Sequence, residues 1–388
     1  MINLPAKKLR EGMITSQSVY NAKGVSYLSK GTRLNQPYIR RLKKLGITRL
    51  SVTSLNPSLH LLPPEDIVQE KTRITAIHKV CEAFAQLEVS NTLNLESLEN
   101  IAESIVFDLI SKQSNLAQIT DIRLHDTYTF AHSVNVAVLS SMLGSLCHYS
   151  KKNLLDLTLG GLLHDVGKLA IPSSILNKSG SLNEEEVSII RQHPEAGCQK
   201  LRKTKTASAL MLAITAQHHE RIDGTGYPKQ LAGNSIHRFS RIVSIADVYD
   251  ALTSARPYKK AYKPYVAYKI MTKCSEGQFD LDLLSLFFDS IALYPIGTIL
   301  KTDLGYGIVK KVEFGHTQTP IICVFADEKY NTYSSPTIVN LKNCPPNTIN
   351  YVLEDNDLFT FINHVGIDPA AYLTTNKQPT TLPSVPSL

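Results

Sequence analysis

The chain opens on short apolar runs broken by turn residues, as in GMITSQSVYNAKGVSYLSKGTRL, and this alternation predicts strands. Residues 36–46 change period and read as a basic helix, after which ITRLSV reads as a further strand. Residues 1–62 are therefore expected to form a small α/β accessory domain rich in strands. A boundary follows at Leu62-Pro63-Pro64-Glu65, because consecutive prolines interrupt regular structure.

From Ile67 onward the apolar residues recur at three- and four-residue intervals, first Ile74, Ile77, Val80 and Phe84, then Ile101, Ile105 and Leu109. This predicts packed helices over 67–117, serving as a linker or scaffold. A helical contact between the subunits of a homodimer is the other use open to them. Residues 118–293 read as a helical domain, with AHSVNVAVLSSML, LLDLTLGGLLHDVGK, EEEVSIIRQHPEAG, SALMLAITAQHHE and RFSRIVSIADVYDAL as its main segments. After Tyr294-Pro295 the period falls to two in GTILKTDLGYGIVKKVEF and PIICVFAD, which predicts a β-containing extension over 294–373. The last stretch, 374–388, reads as a mobile tail. The expected class is mainly α, with strands confined to the two ends.

Composition narrows the partners. At 388 residues, 43% hydrophobic and 19% charged, the chain can bury a substantial core and exceeds one ordinary domain. No run approaches the roughly 20 apolar residues that cross a bilayer, and MINLPAKKLREGM lacks the apolar stretch of a secretory signal, so a cytoplasmic location is expected. The six cysteines (Cys81, Cys147, Cys198, Cys274, Cys323, Cys344) form no CxxC pair, which argues against a disulfide framework and a thiolate zinc cluster. The net charge of +7 is spread along the chain without a basic tail. A phosphate-bearing small ligand accounts for it, and no stable DNA or RNA partner is expected.

The candidate chemistry lies in the helical domain. In GLLHDVGKLAIP, His164 offers a neutral nitrogen donor and Asp165 a carboxylate whose two oxygens can bridge two cations. Gly167 permits a close turn, and Lys168 supplies an ammonium for a bound phosphate. His132 lies in an apolar helical pattern, His193 precedes a proline that marks a helix boundary, and Asp247 is a carboxylate on an otherwise apolar helix. Each alone has an ordinary explanation in packing or surface exposure. HHERIDGTGYP carries more, with adjacent His218 and His219, Asp223 as a turn acceptor, Gly224 and Gly226 as permissive backbone, and Tyr227 as a ligand contact. Together they predict one cation near His132, His164, Asp165 and Asp247, and a second near Asp165, His193, His218 and His219. Mixed nitrogen and oxygen donors suit iron or manganese, with nickel, cobalt and zinc still open. A hydrolase acting on a phosphorus–oxygen bond is the reading that follows.

His164-Asp165, HHERIDGTGYP and IADVYDALTSARPYK, in that order over 118–289, resemble the HD-GYP family of bacterial cyclic-dinucleotide phosphodiesterases. The resemblance implies a helical HD-type catalytic domain, and more weakly an accessory domain in the N-terminal segment. It implies phosphate-directed roles for Lys168, Arg256 and Lys259, and a substrate-pocket role for Tyr227. Asp165 and Lys168 would be the catalytic pair, the first bridging two cations around a shared water that becomes the attacking hydroxide, the second stabilising charge on the phosphate. Cleavage of cyclic di-GMP would give pGpG and, after a second cut, GMP; 3′,3′-cyclic GMP-AMP is the alternative substrate. A mononucleotide phosphohydrolase and a non-catalytic cyclic-dinucleotide receptor are the competing functions. Two departures stand out. Tyr128 occupies the position of a glutamate used by three-metal members, which favours two ions, and Gln230 stands where the family often has glycine.

Overall fold

The computed structural model describes residues 2–16, 18–20, 26–47, 49–53, 66–111, 123–124, 128–178, 180–254, 261–273, 275–353, 355–365 and 368–374. The boundary expected at 62–65, Cys274 and the tail beyond 374 lie outside the described residues. In chain order the structure runs β1 (Ile2–Pro5), β2 (Val19–Tyr20), β3 (Ser26–Leu28), α1 (Gln36–Lys44) and β4 (Arg49–Val52). Helices α2 (Glu70–Ser90) and α3 (Leu95–Ser111) follow, then β5 (Arg123–Leu124), α4 (Tyr128–Leu146), α5 (Lys151–Leu163), α6 (Ser173–Leu176) and α7 (Glu184–Ile190). Next come α8 (His193–Thr204), α9 (Ala209–Gln217), α10 (Arg238–Thr253), α11 (Pro264–Lys273), α12 (Ser275–Gln278) and α13 (Leu281–Ser290). The chain closes with β6 (Ile299–Thr302), β7 (Gly305–Lys311), β8 (Ile321–Ala326), β9 (Thr332–Asn340), β10 (Ile349–Val352) and α14 (Asp355–Val365). The fold is mainly α, and among the described residues no helix is long and apolar enough to cross a membrane.

One compact unit is built from the two ends of the chain. Strands β1 and β4 pair antiparallel with Leu4 opposite Leu50, while β6 to β10 form an antiparallel sheet in the order β10-β6-β7-β8-β9. Alternation along the strands explains why both faces of that sheet are buried. Ile308, Cys323 and Phe325 enter one core with Leu4, Leu34, Leu42, Leu50 and Val52, and Val309, Ile322 and Val324 enter a second with Leu300 and Val339. Helix α1 is started by Asn35, whose Oδ1 accepts from the Tyr38 N–H at 2.9 Å, and it buries Ile39 and Leu42. Segments that sequence order separates by more than two hundred residues therefore share one hydrophobic interior.

The second unit is the helical one, α2 to α13. Helix α4 is its centre, with Val134, Val136, Ala137, Val138, Leu139, Met142 and Leu143 all buried, as a helix apolar on every side must be. Two close backbone approaches set the positions of its neighbours. A Cβ on Gly161 of α5 would lie 2.7 Å from the Ala137 Cα of α4, and a Cβ on Gly167 would lie 1.8 Å from the His193 carbonyl oxygen. Glycine at 161 draws α5 against α4, and glycine at 167 lets the turn after α5 rest on the start of α8. The helical segment EEEVSIIRQHPEAG comprises α7 and the start of α8, separated at Arg191 and Gln192, just before the proline at which a helix boundary was expected. Pro194 fits the first turn of α8, where its missing N–H costs no hydrogen bond.

Candidate metal centre

The turn after α5 organises the site. His164 still has helical dihedrals (φ −52, ψ −39), whereas Asp165 leaves them (φ −96, ψ 7) to begin the 3-10 turn Val166–Ala170. This change aims two adjacent side chains into a common space, with His164 Nε2 3.3 Å from Asp165 Oδ2. Helix α4 contributes His132, whose Nε2 lies 3.7 Å from the same oxygen. The start of α8 brings His193 Nε2 to 3.3 Å from Asp165 Oδ1, and the end of α9 brings His218 Nε2 to 3.9 Å. Asp247, from α10, spans the site, with Oδ1 3.1 Å from His132 Nε2 and Oδ2 3.8 Å from His219 Nδ1.

The donor atoms fall into two groups that share Asp165. His132, His164 and Asp165 make one, and Asp165, His193, His218 and His219 make the other, with the atoms of each group within 4.8 Å of one another. All except partly exposed His219 are buried. The imidazoles are oriented from behind by backbone carbonyls. His164 Nδ1 meets Gly161 O at 2.8 Å, His193 Nδ1 meets Ile190 O at 2.7 Å, and His218 Nδ1 meets Thr215 O at 3.0 Å. A carbonyl can only accept, so each Nδ1 carries a proton, and in the neutral ring Nε2 keeps a lone pair turned inward. His164 Nε2 and Asp165 Oδ1 are buried without a hydrogen-bond partner. Leaving two such atoms unsatisfied is costly, and a cation held in each group of donors would remove the cost.

The electrostatics agree with that use. Burial pushes the His193 imidazole below its ordinary range, and burial together with His219, His164 and His193 pushes His218 well below it. Burial, helped by His193 and Lys168, brings His219 down to about 4. These three rings are neutral donors near neutral pH. Burial opposes ionisation of Asp165, but Lys168, His164 and His193 outweigh it and hold its carboxyl well below the usual range. His132 differs, since the hydrogen bonds to Asp247 and Asp250 overcome burial and push it up to about 9.

The remaining predicted residues are placed unevenly. Partly exposed Lys168 donates from Nζ to Asp165 Oδ2, so its first partner is the shared carboxylate itself. Tyr227 stacks on His219 with centroids 4.8 Å apart at 28°, forming a wall of the site. Asp223 does act as a turn acceptor, its Oδ1 receiving Thr225 N at 2.9 Å and Thr225 Oγ1 at 2.7 Å. Gln230 has φ 54, a left-handed conformation that glycine adopts without strain. Arg256 and Lys259 lie outside the described residues, and at Tyr128 only the backbone, the first residue of α4, is described.

Three residues of the site escaped the sequence reading. Asp250 sits one helical turn beyond Asp247 and meets His132 Nδ1 through Oδ2 at 2.7 Å. A second carboxylate at that spacing on an apolar helix was the available signal, because burying it without a partner would be costly. Glu220, directly after His219 and 2% exposed, accepts Lys229 N at 2.7 Å and Leu231 N at 3.0 Å, tying down the loop that carries Tyr227. Arg191 lies with Cζ 5.4 Å from the Tyr227 ring centroid, on the junction between α7 and α8.

Set beside known proteins, residues 96–283 match the family described as HD domain. This region of the chain is an HD domain. A cyclic di-GMP phosphodiesterase of Pseudomonas aeruginosa is 32% identical over 263 residues, which covers 68% of this chain and 63% of that protein. A cyclic di-GMP phosphodiesterase of Vibrio cholerae is 45% identical over 131 residues, covering 32% and 27%. A 3′3′-cGAMP-specific phosphodiesterase, also from Vibrio cholerae, is 38% identical over 154 residues, covering 40% and 35%. The chain thus spans less than two thirds of the length of each of these relatives. The matches of the HD domain contain the turn at Asp165 and the helices that carry the histidines, so the likeness includes the part of the fold that builds the centre.

Proposed function

We propose that this chain is a metal-dependent phosphodiesterase that opens a cyclic dinucleotide, with cyclic di-GMP as substrate, pGpG as first product and GMP as the product of a second cut. The observation that carries the reading is Asp165, a buried carboxylate shared by two groups of imidazole donors, with one oxygen lacking a hydrogen-bond partner. The proposed ligands are His132, His164, Asp165 and Asp247 for one ion, and Asp165, His193, His218 and His219 for the other. Iron or manganese suits this donor set. Bound there, divalent cations supply positive charge to phosphoryl oxygens and acidify a water to the attacking state.

The chain's own groups do the rest. Neutral His193, His218 and His219 donate lone pairs without having to shed a proton, and ionised Asp165 balances charge that imidazoles alone would leave uncompensated. Lys168 can exchange its partner from Asp165 to a phosphate oxygen and stabilise the charge that grows there during in-line displacement. Arg256 and Lys259 are assigned to the outer phosphate oxygens, where a guanidinium fork gives direction and an ammonium gives compact charge. Burial pushes the Tyr227 hydroxyl up, so it stays protonated and faces substrate as a donor.

A specific observation favours a second substrate, since one similar protein is named as 3′3′-cGAMP-specific. The test is anaerobic loading of the purified chain with manganese or ferrous iron, followed by kinetics and product analysis on both cyclic dinucleotides. Linear dinucleotide from cyclic di-GMP is the expected result, and strong preference for the mixed nucleotide would reassign the substrate. Release of phosphate or triphosphate from a mononucleotide would overturn the reaction class. Tight binding without turnover would make the protein a receptor.

A further inference from the structure

We propose that Arg73, acting through Asn135 and Asp250, is a positioning residue for His132 and thereby sets how tightly the ion next to His132 is held. The proposal rests on the metal assignment above and extends it to a helix that carries none of the ligands.

Arg73 lies on α2 and is 1% exposed. Its Nη1 donates to Asn135 Oδ1 at 2.9 Å and its Nη2 to Asp66 Oδ1 at 3.0 Å. Asn135 lies on α4, one turn beyond His132, and its Nδ2 donates to Asp250 Oδ1 at 2.8 Å. Asp250 Oδ1 also accepts from Ser254 Oγ at 2.8 Å, and its Oδ2 meets His132 Nδ1 at 2.7 Å. Three helices, α2, α4 and α10, are thus joined by one line of hydrogen bonds that ends on a ligand.

The direction of every link is forced by chemistry. A guanidinium only donates, so the Asn135 amide must turn its oxygen to Arg73 and its nitrogen to Asp250. An ionised carboxylate only accepts, so Asp250 requires a proton on His132 Nδ1 and leaves Nε2 to face the centre. Without Arg73 the Asn135 amide loses the group that fixes its orientation, and rotation would present oxygen to oxygen at Asp250. Arg73 Nε is buried without a hydrogen-bond partner and Nη2 is held in the ion pair with Asp66, so Nη1 carries the guanidinium's link toward the centre. Retaining a donor-only cation here has a chemical use in orienting what lies beyond it.

The test is a cobalt(II) titration of the full chain, read by the visible absorption of the ion and by bound-metal stoichiometry, for the parent, Arg73→Met and Leu87→Ala. Leu87 is fully buried on the same helix and lies outside the relay, so its truncation loosens α2 without touching Asn135. His132→Ala and His219→Ala provide reference spectra for loss of a ligand on either side. Arg73→Met is expected to weaken the step that His132→Ala removes by up to about 10-fold, the low end of what losing a ligand's direct partner costs, since that partner is Asp250 and Arg73 acts through it. Leu87→Ala should bind as the parent does. Equal losses in Arg73→Met and Leu87→Ala, or loss of the step that His219→Ala removes, would overturn the proposal. A parent that binds no cobalt defeats the metal assignment and this proposal together, whereas normal binding by Arg73→Met defeats this proposal alone. If Arg73→Met does not fold, Asn135→Leu breaks the next link and is read against the same outcomes.

Discussion

A single methyl group added at Gly167 tests how the centre is assembled. The new Cβ would lie 1.8 Å from the His193 carbonyl oxygen and 2.6 Å from the Gly197 nitrogen, where ordinary contact begins near 3.4 Å. Both neighbours are backbone atoms, so no rotamer change relieves the clash, and the turn after α5 must part from α8 by more than an ångström. Overpacking of this kind costs about 1–3 kcal/mol, and the unyielding backbone puts Gly167→Ala at or above about 3 kcal/mol. For a unit of this size that corresponds to a melting temperature lower by about 6–12 °C. The same displacement pulls His193 away from Asp165 Oδ1, now 3.3 Å distant, so the stabilisation gained on adding manganese should shrink as well. Thermal melts followed by circular dichroism, with and without manganese, measure both effects. Gly180→Ala is the control, since a Cβ there meets nothing within 4 Å, and it should stay within about 0.5 kcal/mol of the parent. If Gly167→Ala melts with Gly180→Ala and responds equally to manganese, the close approach does not position the ligands.

Other perturbations separate the roles of neighbouring groups. Lys168→Ala should retain the bound metal, checked by elemental analysis, while kcat falls about 10²–10³-fold as charge on the phosphoryl oxygens loses its partner. Glu220→Gln replaces a two-oxygen acceptor of the Lys229 and Leu231 N–H groups with a single oxygen. It should cost about 1–3 kcal/mol in denaturant melts and raise KM more than it lowers kcat, because the loop bearing Tyr227 loosens. Gln230→Gly should leave stability equal or raise it by up to about 1 kcal/mol, since relief of a left-handed non-glycine residue worth about 1–2 kcal/mol outweighs glycine's entropy cost. Gln230→Val should destabilise in the same melts. Dialysis against a chelator should lower the melting temperature and manganese restore it, because a ligand at 100 times its Kd contributes about 2.7 kcal/mol; absence of any shift would count against a metal centre.

Apart from His132, which lies inside the apolar pattern of α4, the residues that the structure gathers around Asp165 were visible in sequence because they sit at local discontinuities. His164-Asp165 ends an apolar helix, His193 precedes a proline, His218 and His219 end α9, and Asp247 interrupts an apolar face. Such marks are written within a few residues and survive without knowledge of the fold. What stayed hidden depends on pairing between distant segments. Nothing near Asp250 states that its oxygen meets His132, 118 residues earlier, and nothing near Glu220 states that it accepts from the loop ahead. The joint core of the two chain ends is hidden for the same reason, since the alternation in β8 tells that Phe325 is covered but not that Leu4 and Leu50 lie in the core that covers it. Lys168 shows the limit most clearly. Its position after His164-Asp165 indicated a cation near the chemistry, yet only geometry shows its ammonium on Asp165, the carboxylate that the proposed ions would share. Ions bound there would compete with Lys168 for Asp165, and that competition would free the lysine for a phosphate at the moment the carboxylate is taken.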